Sequence, residues 1–158
     1  MKKDKHGYEI HHLFTSGLGR VWYAGMSQIY ALLKRLEVAG EVISKVDIEN
    51  GLPAKKVYSI TPEGREAFLG WLREPVERIR DLRLEFLAKL FFMRELELAG
   101  IDELIVKQTS VCQAHLESIK QQDEMCQDEL DRLVFQFRIC QIEAILRWLE
   151  NCKQYFDR

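Results

Sequence analysis

The sequence predicts a mainly α-helical protein with one small β-hairpin: an N-terminal winged helix-turn-helix followed by an antiparallel helical C-terminal domain. Three observations carry this expectation. Between Ser27 and Thr61 an amphipathic helix pattern runs directly into two strand-like runs joined by a turn. Pro75 interrupts the helical pattern that follows, because the residue before a proline resists helical geometry. From Ile101 to Arg158 there is no glycine or proline, and apolar residues recur at seven-residue steps.

Residues 6–20 are expected to be helical, with Tyr8, Ile10 (or His11), Leu13 and Phe14 as the apolar face and Gly17 and Gly19 at its end. A turn over Val21–Met26, carrying Trp22 and Tyr23, leads to Ser27, whose hydroxyl is placed to cap the next helix. In that helix Ile29, Leu32, Leu33 and Leu36 share one face, which leaves Gln28, Tyr30, Ala31, Lys34 and Arg35 pointing away. Gly40 stands where a helix ending in a left-handed residue wants glycine. The runs Glu41–Glu49 and Lys55–Thr61 alternate as strands do, and Asn50-Gly51-Leu52-Pro53 between them is turn chemistry. A helix followed at once by a basic hairpin is the second half of a winged helix. Its free helix face is the surface that would enter a DNA groove, with Ser27 at its start. Gln28 can hydrogen-bond adenine, and Lys34 or Arg35 can meet guanine or phosphate. Tyr30 is either a further phosphate or base contact or a packing tyrosine with a wet hydroxyl. Lys45, Lys55 and Lys56, with Tyr58, extend the candidate interface onto the wing.

Thr61-Pro62-Glu63 then starts a helix, with proline in the first turn, where its missing N–H is not needed. That helix buries Ala67, Phe68, Trp71 and Leu72 and yields near Pro75. The boundary over 75–80 divides the chain into domains 1–75 and 76–158. A helix from about Arg80 to Ala99 carries a wide apolar side (Leu82, Phe86, Leu87, Leu90, Phe91, Leu98), with Gly100 ending it and Asp102 able to cap the next. The seven-residue ladder Ile105, Cys112, Ile119, Cys126, Leu133, Cys140 follows, accompanied by Leu116, Leu130, Phe137 and Ala144. One uninterrupted helix would run roughly 85 Å at ~1.5 Å per residue, too long for so small a protein. Two antiparallel helices connected within 122–135, where Asp123, Asp128 and Asp131 thin the pattern, are expected instead. The last helix offers Ile142, Ile145, Leu146, Leu149, Tyr155 and Phe156, more apolar surface than a lone surface helix needs. A homodimer seam is its natural destination.

The chain has 158 residues, 47% hydrophobic and 30% charged, which is globular rather than disordered. Its net charge of −2 hides an asymmetry: residues 1–60 carry nine Lys/Arg against six Asp/Glu, and residues 61–158 fourteen against nineteen. The positive end coincides with the helix and hairpin, as a phosphate-binding module requires. Met1-Lys2-Lys3-Asp4-Lys5 has no apolar run behind it and no apolar stretch reaches membrane length, so the expectation is cytoplasmic, without membrane partners. The four cysteines form no CxxC pair and read as small buried hydrophobes. His6, His11 and His12, or Cys112 with His115, lack metal-ligand spacing, so neither a metal nor a cofactor is expected. The sequence has no Walker loop, dinucleotide fingerprint or GxSxG, and catalytic residues are not expected. Trp71, Phe86, Phe91, Phe92 and Trp148 either pack a core or line a pocket for an aromatic effector, since flat apolar ligands stack on such rings.

An ordered set of short pieces adds to this reading: Gly7-Tyr8-Glu9-Ile10, Ile29-Tyr30-Ala31-Leu32-Leu33-Lys34-Arg35-Leu36-Glu37, Gly40, and Lys56-Val57-Tyr58-Ser59-Ile60-Thr61 with Glu63-Gly64-Arg65. Together they resemble the PadR family of transcriptional regulators over most of residues 6–75. Phe86-Leu87-Ala88-Lys89-Leu90-Phe91-Phe92 looks like the entry to the longer C-terminal helical domain of one PadR subgroup. The family usually carries an apolar helix before its Gly-Tyr-Glu segment, and here five residues precede His6. The resemblance implies a homodimeric repressor on a near-palindromic double-stranded DNA operator. It also implies dimerisation through the C-terminal helices and a small-molecule effector such as a phenolic compound or drug. Two other classes stay open: a winged-helix protein-interaction scaffold, and a ligand sensor without direct DNA binding.

Overall fold

The structure is a computed structural model that describes residues 5–6, 10, 12, 25–47 and 55–156. Most of the helix expected over 6–20, the Trp22 and Tyr23 turn and the Asn50–Pro53 turn lie outside the described residues. Ile10 and His12 are helical. In chain order the described elements are β1 (Lys5–His6), α1 (Met26–Val38), β2 (Val42–Asp47), β3 (Lys55–Ile60), α2 (Pro62–Arg73), a 3-10 turn (Ile79–Asp81), α3 (Leu82–Glu95), α4 (Ile101–Met125) and α5 (Glu129–Phe156). The fold class is the expected one, mainly α with a winged-helix hairpin. The sheet gains a strand, in the order β1-β3-β2. His6, expected to open a helix, is extended instead and pairs with Val57, while Lys5 pairs with Tyr58. β3 is therefore central and hydrogen-bonded along both edges.

The chain forms two compact units, one comprising Met1–Leu72 and Leu87–Leu96, the other Arg73–Phe86 and Glu97–Arg158. In the first, Ile29, Leu33 and Tyr58 form a buried cluster with Ile10 and Val42 against it. Of the four apolar residues expected on the inner face of α1, Ile29 and Leu33 are buried, but Leu32 and Leu36 remain 46% and 37% exposed. The start of α1 also differs from expectation. Gly25, not Ser27, is the N-cap, and its N–H donates to Gln28 Oε1 at 3.0 Å. The C-terminus is as expected: Gly40 sits at φ +75°. Gly40 N–H donates to Glu37 O (3.1 Å) and Glu41 N–H to Leu36 O (2.9 Å), the bond pair that closes a helix through a left-handed residue.

Thr61 joins the wing to α2. Its Oγ1 accepts the Gly64 N–H at 3.0 Å and donates to Gly40 O at 2.8 Å, while its own N–H donates to Glu41 O at 3.0 Å. This draws the first turn of α2 so close to the α1–β2 turn that a Cβ on Gly64 would lie 1.9 Å from Glu41 O. α3 ends at Glu95, earlier than expected, with Glu97 at φ 52°. Gly100, at φ 99°, is the N-cap of α4, so Asp102 lies within the first turn rather than capping it.

The second unit rests on α4 and α5, which pack along each other after a reversal at 126–128, inside the range expected. Asp128 makes that reversal. Its Oδ1 accepts the N–H groups of Leu130 (2.9 Å) and Asp131 (3.0 Å), capping α5, and Arg132 Nη2 donates back to Cys126 O (2.9 Å). Ile105, Cys112 and Ile119, the first half of the ladder, are buried. The second half is not: Cys126 lies in the connection, Cys140 is exposed, and Leu133 is 63% exposed. The connection shifts the helical phase, so α5 turns Ile142 and Leu149 inward instead.

α4 also fastens the segment that follows α2. Gln108, fully buried, accepts the Val76 N–H on Oε1 (2.7 Å) and donates from Nε2 to Val76 O (3.0 Å), as a neighbouring peptide group would. Lys107 Nζ donates to Arg73 O (3.2 Å), and His115 Nε2 bonds Glu77 O (2.9 Å).

Candidate nucleic-acid interface

An α-helix turns about 100° per residue, so with Ile29 and Leu33 facing in, Ser27, Gln28, Ala31, Lys34 and Arg35 face out. All five are exposed. Tyr30 lies on the flank, 44% exposed, with its ring neither in the core nor central to the outer face. Gln28 is exposed but not idle. The Oε1 that would accept from an adenine amino group already holds the Gly25 N–H, so reading a base through both amide atoms requires this local cap to open.

The wing is held to α1 by Glu37, a residue the sequence did not single out. Ser44 Oγ on β2 donates a short hydrogen bond to Glu37 Oε1, and Lys56 Nζ on β3 lies 3.5 Å from Oε2. The Ser44 hydroxyl holds the Glu37 carboxyl below the usual glutamate range; burial opposes it, and the Lys56 charge adds a lesser lowering. The register explains the geometry: Ser44 stands opposite Tyr58 and Val46 opposite Lys56, so these four share the hairpin face that looks at α1. Lys45, paired with Val57, and Lys55, paired with Asp47, share the other face. The three wing lysines are therefore not one cluster. Tyr58 is a correction: at 8% exposure it packs with Ile29 and Leu33, because its side chain points to the α1 side of the central strand.

The aromatic residues expected to line one pocket divide as well. Trp71 and Phe92 line a cavity of about 530 Å³ in the first unit, together with Phe68, Leu36, Ile60 and Leu96. Phe68 stacks on Trp71 (centroids 5.8 Å apart, 29°) and meets Phe92 edge-on (5.4 Å, 84°). Phe91 contacts Phe92 at 5.5 Å but does not line the cavity. Phe86 and Trp148 contact each other in the second unit, 5.9 Å apart. Phe68 escaped notice as a pocket residue, although its i, i+3 spacing from Trp71 already put both rings on one side of α2. Among the described residues no group of His, Cys, Asp and Glu could hold a metal ion, and no helix is long and apolar enough to cross a membrane.

Residues 1–69 match the transcriptional regulator PadR-like family, and residues 82–157 match the family described as virulence activator alpha C-term. A negative transcriptional regulator PadR of Bacillus subtilis is 31% identical over 122 residues, which is 75% of this chain and 65% of that protein. A probable transcriptional regulator of Mycobacterium tuberculosis is 35% identical over 74 residues, 47% of this chain and 39% of that protein. The chain thus spans less than two thirds of the length of either relative. The solved structure of Bacillus subtilis PadR in complex with operator DNA covers 98% of this chain and 90% of its own, at 26% identity and a TM-score of 0.45. The two matches thus divide nearly the whole chain between them: residues 1–69 are a PadR-like transcriptional regulator domain, and residues 82–157 match the virulence activator alpha C-term family.

Proposed function

We propose that the chain is a sequence-specific DNA-binding transcriptional regulator, a repressor that acts in the cytoplasm as a homodimer. The observation that carries this reading is the outer side of α1, where Lys34 and Arg35 are exposed beside a hairpin fixed to the same helix by Glu37. A rigid helix-plus-wing unit of this kind offers a major groove a preset surface. Residues 1–75 serve as the DNA-binding domain, which supplies most of the effector cavity, and 76–158 as the dimerisation domain, which adds Phe92 and Leu96 to it. For the dimer, α5 leaves Leu130, Leu133, Val134, Phe137 and Tyr155 exposed. Leu130 to Phe137 form a second apolar stripe on the side away from Ile142 and Leu149, with Tyr155 farther along the helix, and an exposed apolar stripe of this kind marks an interaction surface. It replaces the Ile142–Leu149 surface expected from sequence. The operator is a near-palindromic duplex, read by one α1 from each protomer, and an aromatic small molecule in the Trp71–Phe92 cavity is the effector.

The test is binding of the full chain to fragments of its own upstream DNA across a salt series. Arg35→Ala and Lys34→Ala should each weaken binding and lower the salt slope by about 1. Binding that neither substitution changes, or that does not respond to salt, would remove the DNA-binding reading in favour of a protein-interaction role.

A further inference from the structure

Gln28 is the third residue of α1 and is exposed on its outer side. It shares that side with Ala31 and Arg35, which a step of about 100° per residue puts along the same exposed line. Residues near the start of a helix laid in the major groove are those that reach base edges, so Gln28 is placed to read one. Its two amide atoms are not equally available. Gly25, the N-cap, stands in extended backbone at φ −69° and ψ 157° and has no side chain with which to cap the helix. Gln28 reaches back instead, and its Oε1 accepts the Gly25 N–H at 3.0 Å, the third-residue half of a capping box. A peptide N–H only donates, so the atom that meets it is the carbonyl oxygen, and the amide is fixed in that sense. The two amide atoms diverge from one carbon. An oxygen turned onto Gly25 therefore turns Nε2, with its two N–H donors and no acceptor, the other way.

In the major groove guanine shows two acceptors side by side, N7 and O6, whereas adenine sets an N7 acceptor beside an N6 donor. A group that only donates matches the first edge and meets a donor on the second. The two-bond contact that glutamine makes with adenine needs the oxygen as well, and taking it would leave the Gly25 N–H without its partner at the start of the helix. We infer that Gln28 is a specificity residue that reads guanine through Nε2, because the start of its own helix holds its oxygen. The adenine contact expected from the residue type alone is disfavoured. The inference rests on the DNA-binding reading above and names the base at one position of the duplex.

The test selects duplexes from a random-sequence pool with the full chain and with its Gln28→Ala variant, and finds the base pair whose preference the substitution erases. That pair should carry guanine in the parent, with adenine there about tenfold weaker. Replacing the guanine by 7-deazaguanine, which lacks the N7 acceptor, should weaken the parent and leave Gln28→Ala unchanged. Gln28→Glu keeps an oxygen for the Gly25 N–H but has no donor. It should turn the preference from guanine to cytosine, whose amino group donates. Gly25→Pro suits the φ of −69° and removes the N–H that holds the oxygen, so adenine should rise toward parity with guanine. Should the proline variant not fold, the glutamate variant decides. Adenine at the erased pair, no pair erased by Gln28→Ala, or guanine retained by Gln28→Glu overturns the assignment. Arg35→Ala is measured in parallel. If it weakens the selected duplex while Gln28→Ala erases nothing, the guanine assignment falls alone. If the parent selects no duplex above the pool, the DNA-binding reading falls and takes the assignment with it.

Discussion

Gln108 is the most exacting test of how the second unit is held together. Its amide makes a reciprocal pair of hydrogen bonds with the backbone of Val76, at 2.7 and 3.0 Å, in a place where both residues are buried. Replacing it by leucine keeps the side-chain volume and removes both partners, leaving the Val76 N–H and C=O without them. Each buried backbone group deprived of its bond costs about 1–3 kcal/mol. The leucine avoids the cost of burying an amide, which offsets part of this loss. The expected net destabilisation for Gln108→Leu is therefore roughly 2–4 kcal/mol, at the upper end of ordinary point-substitution effects. Urea denaturation followed by far-UV circular dichroism gives the shift in midpoint, and hydrogen exchange at the Val76 amide reports the local loss. Gln108→Glu adds a sign. The site disfavours a buried carboxylate facing Val76 O, so the folded-state pKa is raised, and the variant regains stability as pH falls and loses it as pH rises. A Gln108→Leu protein within about 0.5 kcal/mol of the parent, with Val76 protection unchanged, would refute the claim that this amide pins the segment.

Three further expectations follow from single contacts. Gly64→Ala must place its Cβ against backbone atoms of Glu41, which cannot swing away as a side-chain end could. It should cost about 1–3 kcal/mol, seen as a lowered thermal midpoint, and an unchanged midpoint would deny the close approach. The depressed Glu37 carboxyl contributes stability that is present above the ordinary glutamate range and lost as pH falls through its lower folded value. Acidification should thus loosen the α1–wing contact, and a carboxyl NMR titration of Glu37 at or above the ordinary range would contradict this. Cys112 is buried, and burial pushes its thiol up despite the bond from Gln108. It should be the last of the four cysteines to alkylate in the native protein and lose that distinction in urea; early labelling of Cys112 would refute its burial.

Much of this was legible because it depends on local rules. The glycine at position 40 needs a left-handed backbone, and Thr61-Pro62 begins a helix for reasons contained in three residues. The helical period puts Ile29 and Leu33 on the inner side of α1, though it puts Leu32 and Leu36 there too, and these stay exposed. What failed depends on contacts distant in the chain. The ladder from Ile105 to Cys140 keeps its seven-residue step on paper, but three residues of connection change which face it occupies, and a repeat does not record a reversal. Asp128 illustrates the same point in the opposite direction: along the sequence it thins the pattern, yet it is the residue that caps α5. Tyr58 reads as an interface residue in the sequence because it follows the wing lysines Lys55 and Lys56 on β3. Only its register opposite Ser44, facing α1, shows that it belongs to the core.

The wing's charge shows why an interface cannot be read from a count of lysines. Residues 1–60 carry an excess of three positive charges, yet the hairpin does not present that excess as one patch. Lys56 is turned toward α1 and paired with Glu37, so its charge acts within the fold to set the angle between helix and wing. Lys55 stands across from Asp47, where an opposite charge on the neighbouring strand balances it at short range. Lys45 stands across from neutral Val57. Lys34 and Arg35 are adjacent outward cations on a helix whose end is fixed by Gly40 and whose side is fixed by Glu37. Among the described residues, a polyanion would meet positive charge on the outer side of the helix, beside a wing that Glu37 and Lys56 tie to it.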